Sequence, residues 1–164
     1  MTISKTLQDA INEQINKELF SEYLYLSMAA YSFNQNLEGF GKWFMIQAKE
    51  EHSHAMKFFK YIYERRGSVV LKAIEKPEAD FKSMEEVFEQ TLKHEELVTK
   101  SIHNLADLAI KENDHASNSF LKWFIDEQVE EEANADQILQ KLKMMKNNIN
   151  GMIWLDKELG KRGE

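Results

Sequence analysis

Apolar residues recur at steps of three and four along most of the chain, in long runs between turn-forming residues. Leu, Ala, Glu, Lys, Gln and Met dominate these runs, which favours helix over strand. Thr6 with Asp9, and Ser83 with Glu86, each have the spacing of a capping box ahead of an apolar-periodic segment. The pattern predicts four long helices at 6–34, 38–66, 83–112 and 115–146, and a short fifth at 152–160.

The connections set the topology. Only a few residues, around Asn36 and around Asn113-Asp114, separate the first pair of helices and the last pair, so each pair is expected to form an antiparallel hairpin. The middle connection runs from Gly67 to Lys82 and contains Pro77, the chain's single proline. Its 16 residues reach about 55 Å when extended, whereas a helix of about 28 residues is about 42 Å long, so it can cross a whole bundle. The expected class is all-α: one domain spanning residues 1–164, an antiparallel four-helix bundle with one long crossover and a short C-terminal fifth helix.

Composition narrows the chemistry. The formal net charge is -7, from 21 Lys plus Arg against 28 Asp plus Glu, which repels phosphate backbones and anionic lipid and attracts metal cations. No nucleic acid and no membrane are expected as partners. Cysteine is absent, which removes disulfides, thiolate metal sites and a cysteine nucleophile and leaves His and carboxylates as the strong ligands. The N-terminus lacks the pattern of a signal peptide, and the longest uncharged run, Tyr23 to Leu37, falls short of the roughly 20 residues a membrane span needs. A soluble, cytoplasmic protein is the expectation.

Helical periodicity places several carboxylates on the seam that should be apolar. On the fourth helix Leu121, Gln128, Ala135 and Leu142 form one row and Phe124, Glu131, Ile138 and Met145 the next. On the third, Glu95 lines up with Phe88, Ile102 and Ala109, while Glu96 falls in an outward row with Glu89 and His103. On the second, Glu51 lies between Phe44 and Phe58, with His54 one turn on beside Gln47 and Tyr61; on the first, Glu18 lies between Ile11 and Tyr25. Burying isolated carboxylates is costly without a partner, and no Lys or Arg falls near these rows. A cation from solution is the remaining partner. Counting outward from Asn113 and from Asn36 puts the acidic residues at similar depth, so the sequence predicts one layer of ligands in mid-bundle.

Single motifs carry less weight than the set. Roughly 0.6 Glu-x-x-His pairs arise by chance in a chain with 21 Glu and 5 His, and Glu112-x-x-His115, across a predicted turn, is taken as that pair. Glu22 is expected at the boundary of the first helix's inner face, paired with a solvent-facing lysine. A further row on the second helix, Met45, His52 and Phe59 with Met56 and Tyr63 nearby, widens its apolar arc beyond what one bundle needs, as a subunit contact would. Met152, Ile153, Trp154, Leu155 and Leu159 would place the fifth helix either at such a contact or as a cap on its own bundle.

With these residues in view, the sequence resembles the ferritins, and among them the haem-free bacterial and archaeal branch. The resemblance is carried by NKELFSEYLY, AKEEHSHAMKF, KHEELVT, FLKWFIDEQVEEE and IWLDKEL, and so runs through nearly the whole chain. It implies a ferroxidase that oxidises Fe(II) with O2, or with H2O2, and stores ferric oxyhydroxide inside a homo-oligomeric shell of 24 subunits. Two irons per subunit are implied. The first site matches Glu18, Glu51 and His54; the second matches Glu51 as bridge, Glu95 and Glu131, with Gln128 close by. A third site matches Glu50, Glu127, Glu130 and the shared Glu131. Tyr25 and Trp123 match residues beside the iron pair that can supply electrons. Bacterioferritins, the haem-containing sister group, carry Glu-x-x-His on the fourth helix where this chain has Gln128-x-x-Glu131, and a haem-ligating methionine where it has His52. No haem is therefore expected. A di-iron peroxidase resembling rubrerythrin, and a metal-free helical interaction protein, are the competing readings.

Overall fold

The computed structural model describes residues 1–164, in which five helices form and no strand does: α1 (Lys5–Asn34), α2 (Glu38–Glu64), α3 (Met84–Lys111), α4 (His115–Met145) and α5 (Ile149–Leu159). The class and order are those the periodicity predicts. Ser83 caps α3 as expected, accepting from the Glu86 amide at 3.1 Å, while the Glu86 carboxylate reaches back to the Lys82 amide. Thr6 does not cap α1. Ser4 takes that role, accepting from the Leu7 amide at 3.1 Å, so the helix starts one residue before the expected boundary. The fifth helix starts three residues before its expected position because the Asn148 side chain caps the Gly151 amide.

Asn36, Arg66 and Asn113 close the first three helices in left-handed backbone conformation, with φ of 59°, 56° and 55°. In each case the amide of the following residue bonds back five positions, Leu37 to Ser32, Gly67 to Ile62 and Asp114 to Ala109, the C-terminal motif that stops a helix and turns the chain. Asparagine tolerates that conformation, which explains why the two tight hairpin turns fall on Asn36 and Asn113.

The crossover adopts no regular secondary structure, yet it is held along its length by side chains of α1. The Gln8 side chain accepts from the Ser68 amide, Asn12 bonds Ser68 O and the Val70 amide at 3.0 and 2.9 Å, and Asn16 donates to Ala73 O at 3.1 Å. Farther on, Ser27 donates to Glu78 O at 2.6 Å and Tyr31 packs edge-on against Phe81. Residue numbers rise together on both sides, so the segment travels the length of α1 and delivers the chain to α3.

The apolar core is split in two. One block joins Leu24, Met28, Phe40, Phe44, Phe88 and Leu142 among others, and the second joins Leu7, Ile11, Ile15, Phe58, Ile102 and Leu121 among others. Between them every long helix contributes buried polar residues: Gln14 and Glu18, Gln47, Glu51 and His54, Thr91 and Glu95, Gln128 and Glu131.

The fifth helix seats on the start of α2. Leu155 is buried, the Asp156 carboxylate accepts from the Phe40 amide at 2.9 Å, and Gly39 lies so close that a Cβ there would sit 1.6 Å from Asp156 O. Ile149, Ile153 and Trp154 on its other face remain exposed. The helix is thus a cap on its own bundle that keeps a free apolar face.

Candidate metal centre

Glu18, Glu51 and His54 each bring one donor atom to within 4.8 Å of the other two, all three residues buried. His54 Nδ1 lies 3.3 Å from Glu51 Oε2 and 3.9 Å from Glu18 Oε2. That Glu18 oxygen has no hydrogen-bond partner although it is fully buried. An orphaned carboxylate oxygen aimed at a second carboxylate and an imidazole is a donor set for a hard cation. His54 turns its other nitrogen, Nε2, toward Glu127 at 3.9 Å, and His54, Glu127 and Glu131 form a second group with the same spacing.

Amides fix the carboxylates. Gln14 donates to Glu18 at 2.7 Å, and Gln47 donates across the bundle to Glu131 at 2.6 Å. Gln128 donates to Glu95 Oε2 at 3.1 Å and to the Thr99 hydroxyl at 3.2 Å. The Tyr25 hydroxyl donates to the other oxygen of Glu95. Behind Gln14 a relay runs outward, since Ser101 donates to the Gln14 carbonyl at 2.6 Å and Lys17 donates to the Ser101 hydroxyl at 2.7 Å. The sequence reading passed over Gln14, Thr99 and Ser101. A signal was present for Gln14, because Gln14 precedes Glu18 by one turn as Gln47 precedes Glu51.

Burial governs the electrostatics. It pushes Glu18 and Glu51 well above the usual carboxylate range, helped by the neighbouring carboxylates. Glu95 is raised to about 7, mainly by burial, against the lowering effect of its bonds from Tyr25 and Gln128. Glu131 is raised to about 8, first by burial and then by Glu95. Without a cation, the cluster therefore retains protons near neutral pH. A cation entering it would displace them.

The remaining predicted positions lie toward the surface. Glu130 is exposed, Glu127 half-buried, and Glu50 is paired with Arg162 at 2.7 Å. Trp123 meets the His54 ring edge-on at 5.4 Å between centroids and carries the Lys57 ammonium over its face. Glu96 points outward as expected. Glu22 pairs with His52, at 3.1 Å, and not with a lysine. Met45, Met56, Phe59 and Tyr63 are exposed, as the wide apolar arc of α2 requires. Glu112 and His115 are separated by the helix-ending turn, and Glu112 bonds the Ser4 hydroxyl. No helix is long and apolar enough to cross a membrane.

A helical bundle that interrupts its apolar core with a layer of carboxylates and one histidine falls into the class of four-helix carboxylate bundles. Comparison with known proteins makes the assignment narrower. The family described as "Ferritin-like domain" matches residues 8–145. A bacterial non-heme ferritin of Staphylococcus aureus is 40% identical over 98% of this chain and 96% of its own length, and one of Staphylococcus saprophyticus is 41% identical over the same shares. A crystal structure described as a novel open pore ferritin from the hyperthermophilic archaeon Archaeoglobus fulgidus superposes with a TM-score of 0.97 at 45% identity, covering 98% of this chain and 99% of that one. The chain belongs to the ferritin family.

Proposed function

We propose that the protein is an iron-storage ferritin with ferroxidase activity, which oxidises Fe(II) with O2 within each subunit and deposits ferric oxyhydroxide inside a hollow homo-oligomeric shell, of 24 subunits by family likeness. The observation that carries this reading is the orphaned Glu18 oxygen facing Glu51 and His54 in a buried cluster. Fe(II) is the substrate. Glu18, Glu51 and His54 would hold one ion; Glu51, close enough to Glu95 and Glu131 to feel their charge, would bridge to a second held by those two, with Gln128 beside it.

Two ferrous ions held together supply two electrons to one O2, which avoids superoxide. Carboxylates favour the product, because Fe(III) is the harder and more highly charged ion. Gln14, Gln47 and Gln128 hold Glu18, Glu131 and Glu95 in place by donating to their carboxylates, Gln14 taking the Glu18 oxygen that does not face His54. Tyr25, bonded to Glu95, stands where it can supply a further electron, and its proton has the Glu95 carboxylate as acceptor. Gln128 carries no charge where a carboxylate would add one, which suits iron that passes onward. Glu50, Glu127, Glu130 and the shared Glu131 form the third site on that onward route. The protein is placed in the cytoplasm on this reading.

Aerobic loading of the metal-free protein with excess Fe(II), followed by size-exclusion chromatography with protein and iron recorded together, tests the proposal. Iron co-eluting with an assembly far larger than one chain is expected. Iron that precipitates, or elutes apart from a small oligomer, would refute storage.

A further inference from the structure

Glu50 is the one member of the proposed third site that already holds a cation. The chain after α5 does not trail away: Gly160, Lys161, Arg162 and Glu164 all bond back to carbonyls three or four residues earlier, which winds the terminus into a compact turn. Gly163 adopts φ of 86° there, and a Cβ on it would lie 3.2 Å from the Ile46 side chain, so the turn rests directly on α2. From this turn Arg162 extends its guanidinium over the Trp43 ring at 4.5 Å and donates to Trp43 O at 3.3 Å and to Glu50 Oε2 at 2.7 Å. Stacking on an aromatic face and a fixed donor fork make this a held cation and not a loose surface lysine. The Arg162 side chain is 21% exposed.

The anchoring is built in farther back. Asp156 caps the Phe40 amide and Gly39 and Gly160 pack face to face, a Cβ on Gly160 meeting Gly39 Cα at 3.3 Å. The terminus is therefore positioned by the same contacts that seat α5. Glu50 is also near enough to Glu131 for its charge to help raise the Glu131 pKa, so the guanidinium stands at the rim of the acidic layer.

We propose that Arg162 is a resident counter-cation of the third site: its guanidinium occupies Glu50 until a metal ion displaces it, so that the C-terminal turn sets how tightly the third ion is held. This rests on the third-site reading given above. Weakened holding suits an ion that has to move on, since a ligand shared with an arginine returns to the arginine once the ion leaves. Arg162 is a positioning residue in this scheme and touches no iron itself.

Anaerobic calorimetric titration of the assembled, metal-free protein with Zn(II) separates the two readings. The parent is expected to bind two ions tightly and a third more weakly per subunit, and Glu50→Gln to lose the third event alone. Arg162→Gln is expected to tighten the third event by about 2- to 5-fold, the range that releasing a partly exposed ion pair supplies, with the first two unchanged. Arg162→Lys, which keeps the charge but loses the fork and the stacking, is expected to tighten it less, and it carries the test if Arg162→Gln does not assemble. A third event of unchanged or weaker affinity in the arginine variants, with Glu50→Gln still abolishing it, would overturn the role of Arg162 and leave the third site standing. Three events persisting in Glu50→Gln would overturn both.

Discussion

Gln47 on α2 donates its side-chain amide across the bundle to Glu131 on α4, 2.6 Å away, and its own carbonyl oxygen is left buried without a donor. One amide thus ties together two helices that each carry a proposed iron ligand. Groups that hold ligands from behind change metal affinity by about 10- to 100-fold when removed. Gln47→Leu, close in volume but unable to donate, is expected to weaken Fe(II) binding within that range and to slow the first phase of oxidation. Anaerobic Fe(II) titration followed by stopped-flow absorbance checks it. Unchanged affinity would mean that Glu131 needs no orienting partner.

The metal-free protein is expected to lose stability as pH rises. Glu95 and Glu131 titrate at about 7 and about 8 in the folded state, above the ordinary carboxylate value near 4.5. Because folding raises these values, their contribution is fully present below about pH 4.5 and is lost as pH climbs through 7 to 8. Thermal melting of the metal-free protein from pH 5 to pH 8 is expected to show a falling Tm. Saturating Zn(II) should reverse the trend and release protons on binding, since a cation that binds only the folded state stabilises it. A Tm that rises with pH in the absence of metal would contradict the assignment of burial as the dominant cause.

Glu51→Gln separates stability from function. Glu51 is buried beside Glu18, Glu95 and Glu131, and removing its charge removes repulsion that the metal-free protein has to bear. The variant is expected to melt higher than the parent without metal near pH 8, and to gain almost nothing from Zn(II). Its iron oxidation should fall by at least about tenfold, as for loss of a transition-state interaction of about 1.4 kcal/mol or more. A variant that keeps the parent's Zn(II) response would remove Glu51 from the site.

At the far end of the bundle Asp114 serves twice. It caps α4 by accepting from the Ser117 amide and pairs with Arg65 at 2.8 Å, which holds its carboxyl down to about 2. Asp114→Ala removes the cap and leaves the nearly buried guanidinium short of its counter-ion, for an expected loss of about 2–4 kcal/mol per subunit. The depressed value makes this contribution full above about pH 4 and lost as pH falls through about 2. Denaturant unfolding of parent and variant at pH 7 and pH 3 gives the difference, which should shrink at the lower pH.

Much of this was legible in the sequence because the informative residues violate a pattern that is otherwise strict. Glu18, Glu51, Glu95 and Glu131 fall on rows whose other members, such as Ile11, Phe44, Ile102 and Phe124, are buried hydrophobics, and a helix has only one way to turn such a row inward. The crossover was recognised by length alone. Its attachment through Gln8, Asn12 and Asn16 was not, since three exposed-looking amides at spacing four read equally well as a solvated face. Thr6 was mistaken for a cap because Asp9 completes its spacing, whereas the geometry that decides capping belongs to Ser4. Arg162 carried no signal at all. Its meeting with Glu50 joins positions 112 residues apart in the chain and depends on where a terminal turn comes to rest.

The division of the core into two apolar blocks has a consequence for how the metal-free bundle breathes. Helices ordinarily open from their ends, where hydrogen bonds are unpaired and contacts sparse. Here the ends are sealed, one by the aromatic block around Phe40, Phe44 and Phe88 and the other by Phe58 stacked on Phe124 with Phe120 edge-on to both. The place where like charges crowd is the waist. Backbone amides around Glu18, Glu51, Glu95 and Glu131 should therefore exchange with solvent sooner than those a turn or two away on either side, an inversion of the usual fraying profile. Ion binding would close the bundle in its middle, so that cargo entry and mechanical tightening are one event.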